Sequence, residues 1–176
     1  SRIFGDADGD TITAGNGNHF ILGAAGDDII VVGTGNSVVR GNSGADRITI
    51  AGGNNVVIGD GGISDGTLAV ERSNLVDADP GDDGADVISI GDGNNVVYGF
   101  QGDDTITLGA GTNTVLGGFG DDHITTGDGS DWIRGEEGND VILAGGGNDR
   151  VIGFLGDDEI HGGAGSDIIW ADGETR

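Results

Sequence analysis

Eleven aspartates stand at spacings that suit one kind of chemistry. Asp10, Asp28 and Asp46 recur every 18 residues, as do Asp86, Asp104, Asp122, Asp140 and Asp158 after a single longer gap. Asp131, Asp149 and Asp167 repeat at the same interval, offset by nine residues. Carboxylates that return in phase can stack on their own copies, and stacked pairs supply the negative charge a hard cation needs. Calcium takes about six to eight oxygens at ~2.3–2.6 Å. A lone aspartate in a turn is usually structural, because Asp tolerates left-handed backbone. Eight in phase are better explained as ligands, and the gaps between successive copies are the expected sites.

Followed backward, the offset series reads Asn113, Asn95, Asn55, Ser37 and His19. That column can therefore hold ions only at its C-terminal end, between Asp131 and Asp149 and between Asp149 and Asp167, with Asn113 able to lend an oxygen above them. The residues one place earlier, Asn18, Asn36, Asn54 and Asn94, also lie in register. They are expected to form an asparagine amide ladder without metal. Asp27, Asp103, Asp121 and Asp157 have no such partner role and are expected to be solvated.

The elements that must position these groups are nonapeptides, six over residues 5–58 and ten over residues 81–170. One kind reads G-x-x-G-x-D-x-I-x, as in Gly23 to Val31, and the other reads x-G-x-G-N-x-x-[IV]-x, as in Val32 to Arg40. Position 4 is glycine in fifteen of sixteen, with Asp8 the exception, and position 8 is Ile or Val in all sixteen. Each unit predicts a glycine turn followed by a very short strand with one inward β-branched residue. Val32, Ile50, Ile90 and Leu108 add a second inward contact by alternation. Two units make one flattened 18-residue coil, and eight coils stack into an all-β, two-sided parallel solenoid.

Composition excludes other classes. The chain has 176 residues, 40 of them glycine, with 31 acidic against 7 basic residues and a formal charge of −24. The glycines have no period of three, which excludes collagen. No long apolar run spans a membrane. The charge would repel a phosphate backbone, so nucleic acid is not a partner. There is no cysteine, hence no disulfide or thiolate site.

The nonapeptide Gly162 to Trp170, GGAGSDIIW, matches the repeats-in-toxin (RTX) pattern GGxGxDxUx, and the chain resembles that family over most of its length. The resemblance implies a right-handed parallel β-roll in which the position 6 aspartates of adjacent turns, with turn carbonyls, bind calcium. It also implies a large bacterial protein that is secreted or held at the cell surface, through type I secretion. About 6–9 calcium ions would offset much of the negative charge, and the chain is expected to need calcium to fold.

Residues 59–80 interrupt the pattern, and residues 81–170 resume it in frame, so an insertion or arm is expected in a first-column turn. Asp77, Asp79, Asp82 and Asp83 crowd its return around Pro80. Residues 171–176 resemble the start of a further module, which implies neighbouring repeats of a longer chain as partners. The expected function is a calcium-binding structural module. The alternative is an adhesive surface for protein, glycan or ice, with Phe100, Phe119 and Phe154 as anchors. Ice binding is disfavoured because the outward positions carry no regular threonine rank. An enzyme is not expected: an 18-residue coil leaves no cleft, and His19, His123 and His161 lie far apart. Without lysine, the chain lacks the acylated residue of the family's pore-forming members.

Overall fold

The computed structural model describes residues 1–59 and 84–172. Alternate nonapeptides feed two parallel sheets. The eight-stranded sheet contains Thr11–Ala14, Ile29–Thr34, Arg47–Gly52, Val87–Ile90, Thr105–Leu108, His123–Thr125, Val141–Leu143 and Glu159–His161, in sequence order. The nine-stranded sheet runs Arg2–Phe4, Phe20–Ala25, Val38–Ser43, Val56–Ile58, Val96–Gln101, Thr114–Phe119, Trp132–Glu137, Arg150–Leu155 and Ile168–Asp172. Each strand pairs with its copy one coil away, as Ile12 with Ile30 and Ile21 with Val39. The described residues contain no helix. This is the all-β parallel solenoid with 18-residue coils that the period predicts.

The core is two facing stripes of position 8 residues. They are fully buried from Ile21 through Val151, because a β-branched side chain on a short strand fills the narrow interior without a second layer. Val32, Ile50, Ile90 and Leu108 join them, at 2–3% exposure. In the last coil Ile160 is only partly buried and Ile169 is 43% exposed, since no further described coil covers them.

The solenoid is continuous across the interruption: Ile48 pairs with Ile88 and Val57 with Val97. Gly59 itself occupies the first position of the interrupted turn, its N–H donating to the Tyr98 carbonyl and its carbonyl accepting from Asn42. Residues 60–83, including Asp77, Asp79, Asp82 and Asp83, lie outside the described residues, as do residues 173–176. One strand lies ahead of the first full nonapeptide. Arg2–Phe4 pairs with Phe20–Leu22, so Ile3, 18 residues ahead of Ile21, belongs to the same stripe.

Candidate metal centres

The first column is assembled by the backbone before any side chain chooses. In each coil the position 6 carbonyl accepts the strand bond from the next coil, as Asp10 accepts from the Ile29 N–H. The position 6 N–H precedes the ladder and needs an acceptor. The aspartate one coil later supplies it: the N–H groups of Asp10, Asp28, Asp46, Asp86, Asp104, Asp122 and Asp140 donate to Oδ1 of the following aspartate at 2.7–3.0 Å. All eight first-column aspartates, ending at Asp158, are thus in one file, including Asp46 and Asp86 across the interruption. Glycine at position 1 makes the room: a Cβ at Gly41 would collide with Asp46 Oδ2, and one at Gly117 with Asp122 Oδ2.

The second oxygen is what marks a site. Oδ2 of Asp28, Asp46, Asp122, Asp140 and Asp158 is buried with no hydrogen-bond partner. An isolated buried carboxylate oxygen is costly unless a proton or a cation joins it. Desolvation, opposed by the backbone hydrogen bond and assisted by neighbouring carboxylates, pushes Asp46 and Asp122 up to about 7 and Asp140 to about 6. Asp28 is raised for the same reason.

In the second column the same file is formed by mixed residues. The Asn113, Asp131 and Asp149 N–H groups donate to Oδ1 of Asp131, Asp149 and Asp167 at 2.8–3.0 Å. Oδ2 of Asp131 and Asp149 is buried and unpartnered, and burial raises the Asp149 pKa. Among the described residues no three acidic or histidine side chains converge. A calcium ion in one of these gaps would therefore draw on two aspartates and complete its shell with turn carbonyls and water. The residues fit the ion in charge, in donor type and in the oxygen left open.

Two expectations need correction. The position 5 asparagines form no amide-to-amide ladder. Their Oδ1 atoms accept backbone N–H bonds from the next coil: Asn36 donates to Asn18, Asn54 to Asn36, Asn94 to Asn54 and Thr112 to Asn94, at 2.8–3.0 Å. An orphan turn N–H is a stronger claimant than another side chain. For the same reason three of the position 5 acids, exposed as expected, also serve the backbone, and only Asp157 accepts no such bond among the described residues. Asp27 Oδ1 accepts from Ala45, Asp103 from Asp121 and Asp121 from Asn139, at 2.7–3.0 Å. The amide ladder lies instead at position 6, among Asn55, Asn95 and Asn113.

The three phenylalanines singled out from sequence are brought near one another. A groove of about 200 Å³ crosses four strands of the nine-stranded sheet, lined by Tyr98, Phe100, Leu116, Phe119, Glu136, Glu137 and Phe154. Phe100 and Phe154 hold φ of 88° and 99°, a left-handed backbone that bulky residues rarely adopt. Arg134 pairs with Glu136 at 2.9 Å and lies 5.4 Å from the Phe154 ring centre. His19 bonds to Ser1 and to the Gly15 carbonyl, and His161 to Glu159; the structure does not assemble the histidines.

No curated protein and no solved structure matches the chain. The family model described as RTX calcium-binding nonapeptide repeat (4 copies) matches it five times, over residues 2–30, 22–57, 80–115, 116–151 and 152–174. With the repeat, the stacked coils and the matched segments agreeing along most of its length, the chain belongs to the family of RTX calcium-binding repeats and is a calcium-binding repeat module.

Proposed function

We propose that the chain is a structural module of a large secreted or cell-surface bacterial protein, folding on calcium after export. One observation carries this reading: a file of carboxylates, six of the eight buried, each fixed by one oxygen to the backbone and, at Asp28, Asp46, Asp122, Asp140 and Asp158, left with the other oxygen buried and unpartnered. Such a file is unfavourable when ionised and empty, and favourable when divalent cations sit between its members. Extracellular modules bind calcium at about 10⁻⁴–10⁻³ M, far above cytosolic levels, so the fold would be licensed outside the cell. The site residues are Asp10, Asp28, Asp46, Asp86, Asp104, Asp122, Asp140 and Asp158 in one column and Asp131, Asp149 and Asp167 in the other. Each gap between stacked aspartates takes one ion, within the expected range of about 6–9.

Calcium titration with calorimetry and circular dichroism tests this. The expected result is a cooperative gain of β signal with that stoichiometry. The same β signal in chelator at neutral pH would overturn it.

An adhesive surface on the same roll is the second reading, favoured by the aromatic groove and its two phenylalanines in left-handed backbone. The turn position is left-handed in other coils too, at Ala24, Asn42 and Glu136, and its use here for phenylalanine puts apolar side chains along one groove. Screening peptides and glycans against the calcium-loaded protein and Phe119→Ser checks it. A ligand lost on that substitution, with the calcium count unchanged, supports the groove.

A further inference from the structure

We infer that the side-chain amides of Asn55, Asn95 and Asn113 stand in for calcium in the upper part of the second column, so that those turns close without metal. This rests on the calcium reading of the aspartate columns and divides the second column between two ways of satisfying the same oxygens.

The three amides do what an ion would do. Asn55 Nδ2 donates to the Gly53 carbonyl at 2.9 Å and to Asn95 Oδ1 at 3.2 Å. Asn95 Nδ2 donates to the Gly93 carbonyl at 2.9 Å and to Asn113 Oδ1 at 3.1 Å. Asn113 Nδ2 donates to Asp131 Oδ1 at 3.1 Å and, more weakly, to the Gly111 and Gly109 carbonyls at 3.3 and 3.4 Å. Turn carbonyls and the next coil's position 6 oxygen are the donor set a calcium ion would use. Here the electropositive NH₂ group holds them together. The network fixes which end of each amide is which: a reversed amide would set its oxygen against a carbonyl and a second Oδ1, leaving oxygens facing oxygens. Asn113 consequently offers no oxygen toward Asp131, and the extra site expected there is closed by a hydrogen bond.

An independent feature changes in step. At position 1 of the same nonapeptides the chain carries Ile50, Ile90 and Leu108 beside the asparagines, all buried. Beside Asp131, Asp149 and Asp167 the same position shrinks to Thr126, Ala144 and Gly162. A Cβ at Gly162 would lie 2.6 Å from Asp167 Oδ2, so at that coil the room an isoleucine takes beside Asn55 or Asn95 belongs to the carboxylate. The boundary between Asn113 and Asp131 is thus a change of device, from amide beside a large apolar residue to carboxylate beside a smaller one.

Anomalous diffraction from crystals of the whole chain grown in calcium tests this, with side-chain amide exchange measured by NMR on the calcium-loaded protein. Ions are expected between stacked aspartates and none against the Gly53, Gly93 and Gly111 carbonyls. The Asn55, Asn95 and Asn113 NH₂ protons should exchange ~100-fold more slowly than those of exposed Asn36. Asn95→Asp should raise the calcium needed for half-folding several-fold without adding a bound ion. An ion at any of those carbonyls, fast exchange of the three amides, or an extra ion in Asn95→Asp would each overturn the inference. A protein that binds no calcium anywhere would instead sink the functional reading, and amide exchange would still decide this one.

Discussion

At the scale of the residue, the two oxygens of a position 6 aspartate have separate jobs. Oδ1 of Asp122 accepts the Asp104 N–H at 2.8 Å, and Oδ2 is buried without a partner. Asp122→Asn keeps the first job and removes the charge needed for the second. It should lose about two ions, one from each adjoining gap, and raise the calcium midpoint by ~10-fold, equivalent to ~1.4 kcal/mol. Asp103→Asn, whose exposed side chain accepts the Asp121 N–H, should leave the calcium count unchanged in the same titration. The raised pKa values carry a second prediction. Asp46 and Asp122 at about 7 and Asp140 at about 6 hold more protons folded than in an unfolded chain, where aspartate titrates near ~3.9. Their contribution to metal-free stability is complete below pH ~4 and is lost as pH rises through about 6 and 7. In chelator, circular dichroism should therefore show more β structure at pH ~4.5 than at pH ~7.5; the reverse order would contradict the burial of these carboxylates.

At the scale of the element, the glycine turn decides what the short strand can present. A methyl group at Gly117 meets Asp122 Oδ2, whereas one at Gly15 meets nothing within 4 Å. Gly117→Ala is expected to cost ~1–3 kcal/mol of calcium-loaded stability through overpacking, and Gly15→Ala under ~0.5 kcal/mol. Thermal unfolding of the two variants in saturating calcium separates them. Strand position and inward residue were legible in the sequence because a period of 18 with Ile or Val at position 8 leaves one register. The strand Arg2–Phe4 was missed because only three of its residues precede the first full repeat, too few to show the period. The partners of the position 5 side chains are not legible for a different reason. Spacing shows that Asn36 and Asn54 stack, but not that the nearest unsatisfied group is the next coil's N–H.

At the scale of the molecule, the solenoid is one-dimensional: each coil touches only its neighbours, so a substitution is felt according to its place along the stack. Ile133 and Ile169 occupy the same stripe, yet the first is fully buried and the second is 43% exposed. Ile133→Ala should destabilise by ~2–5 kcal/mol and Ile169→Ala by less than ~1 kcal/mol, read from denaturant unfolding in calcium. Equal costs would mean that the last coil is covered in solution.

The coil, the two stripes and the aspartate columns follow from the repeat alone, because a strict period forces every copy of a residue into the same place. The tertiary structure alone decided what each stacked polar group faces. Whether Asn95 binds an ion or replaces one depends on the carbonyl of Gly93 and the Oδ1 of Asn113 beside it. Those neighbours come from different parts of the chain, and only the completed stack brings them within hydrogen-bond reach.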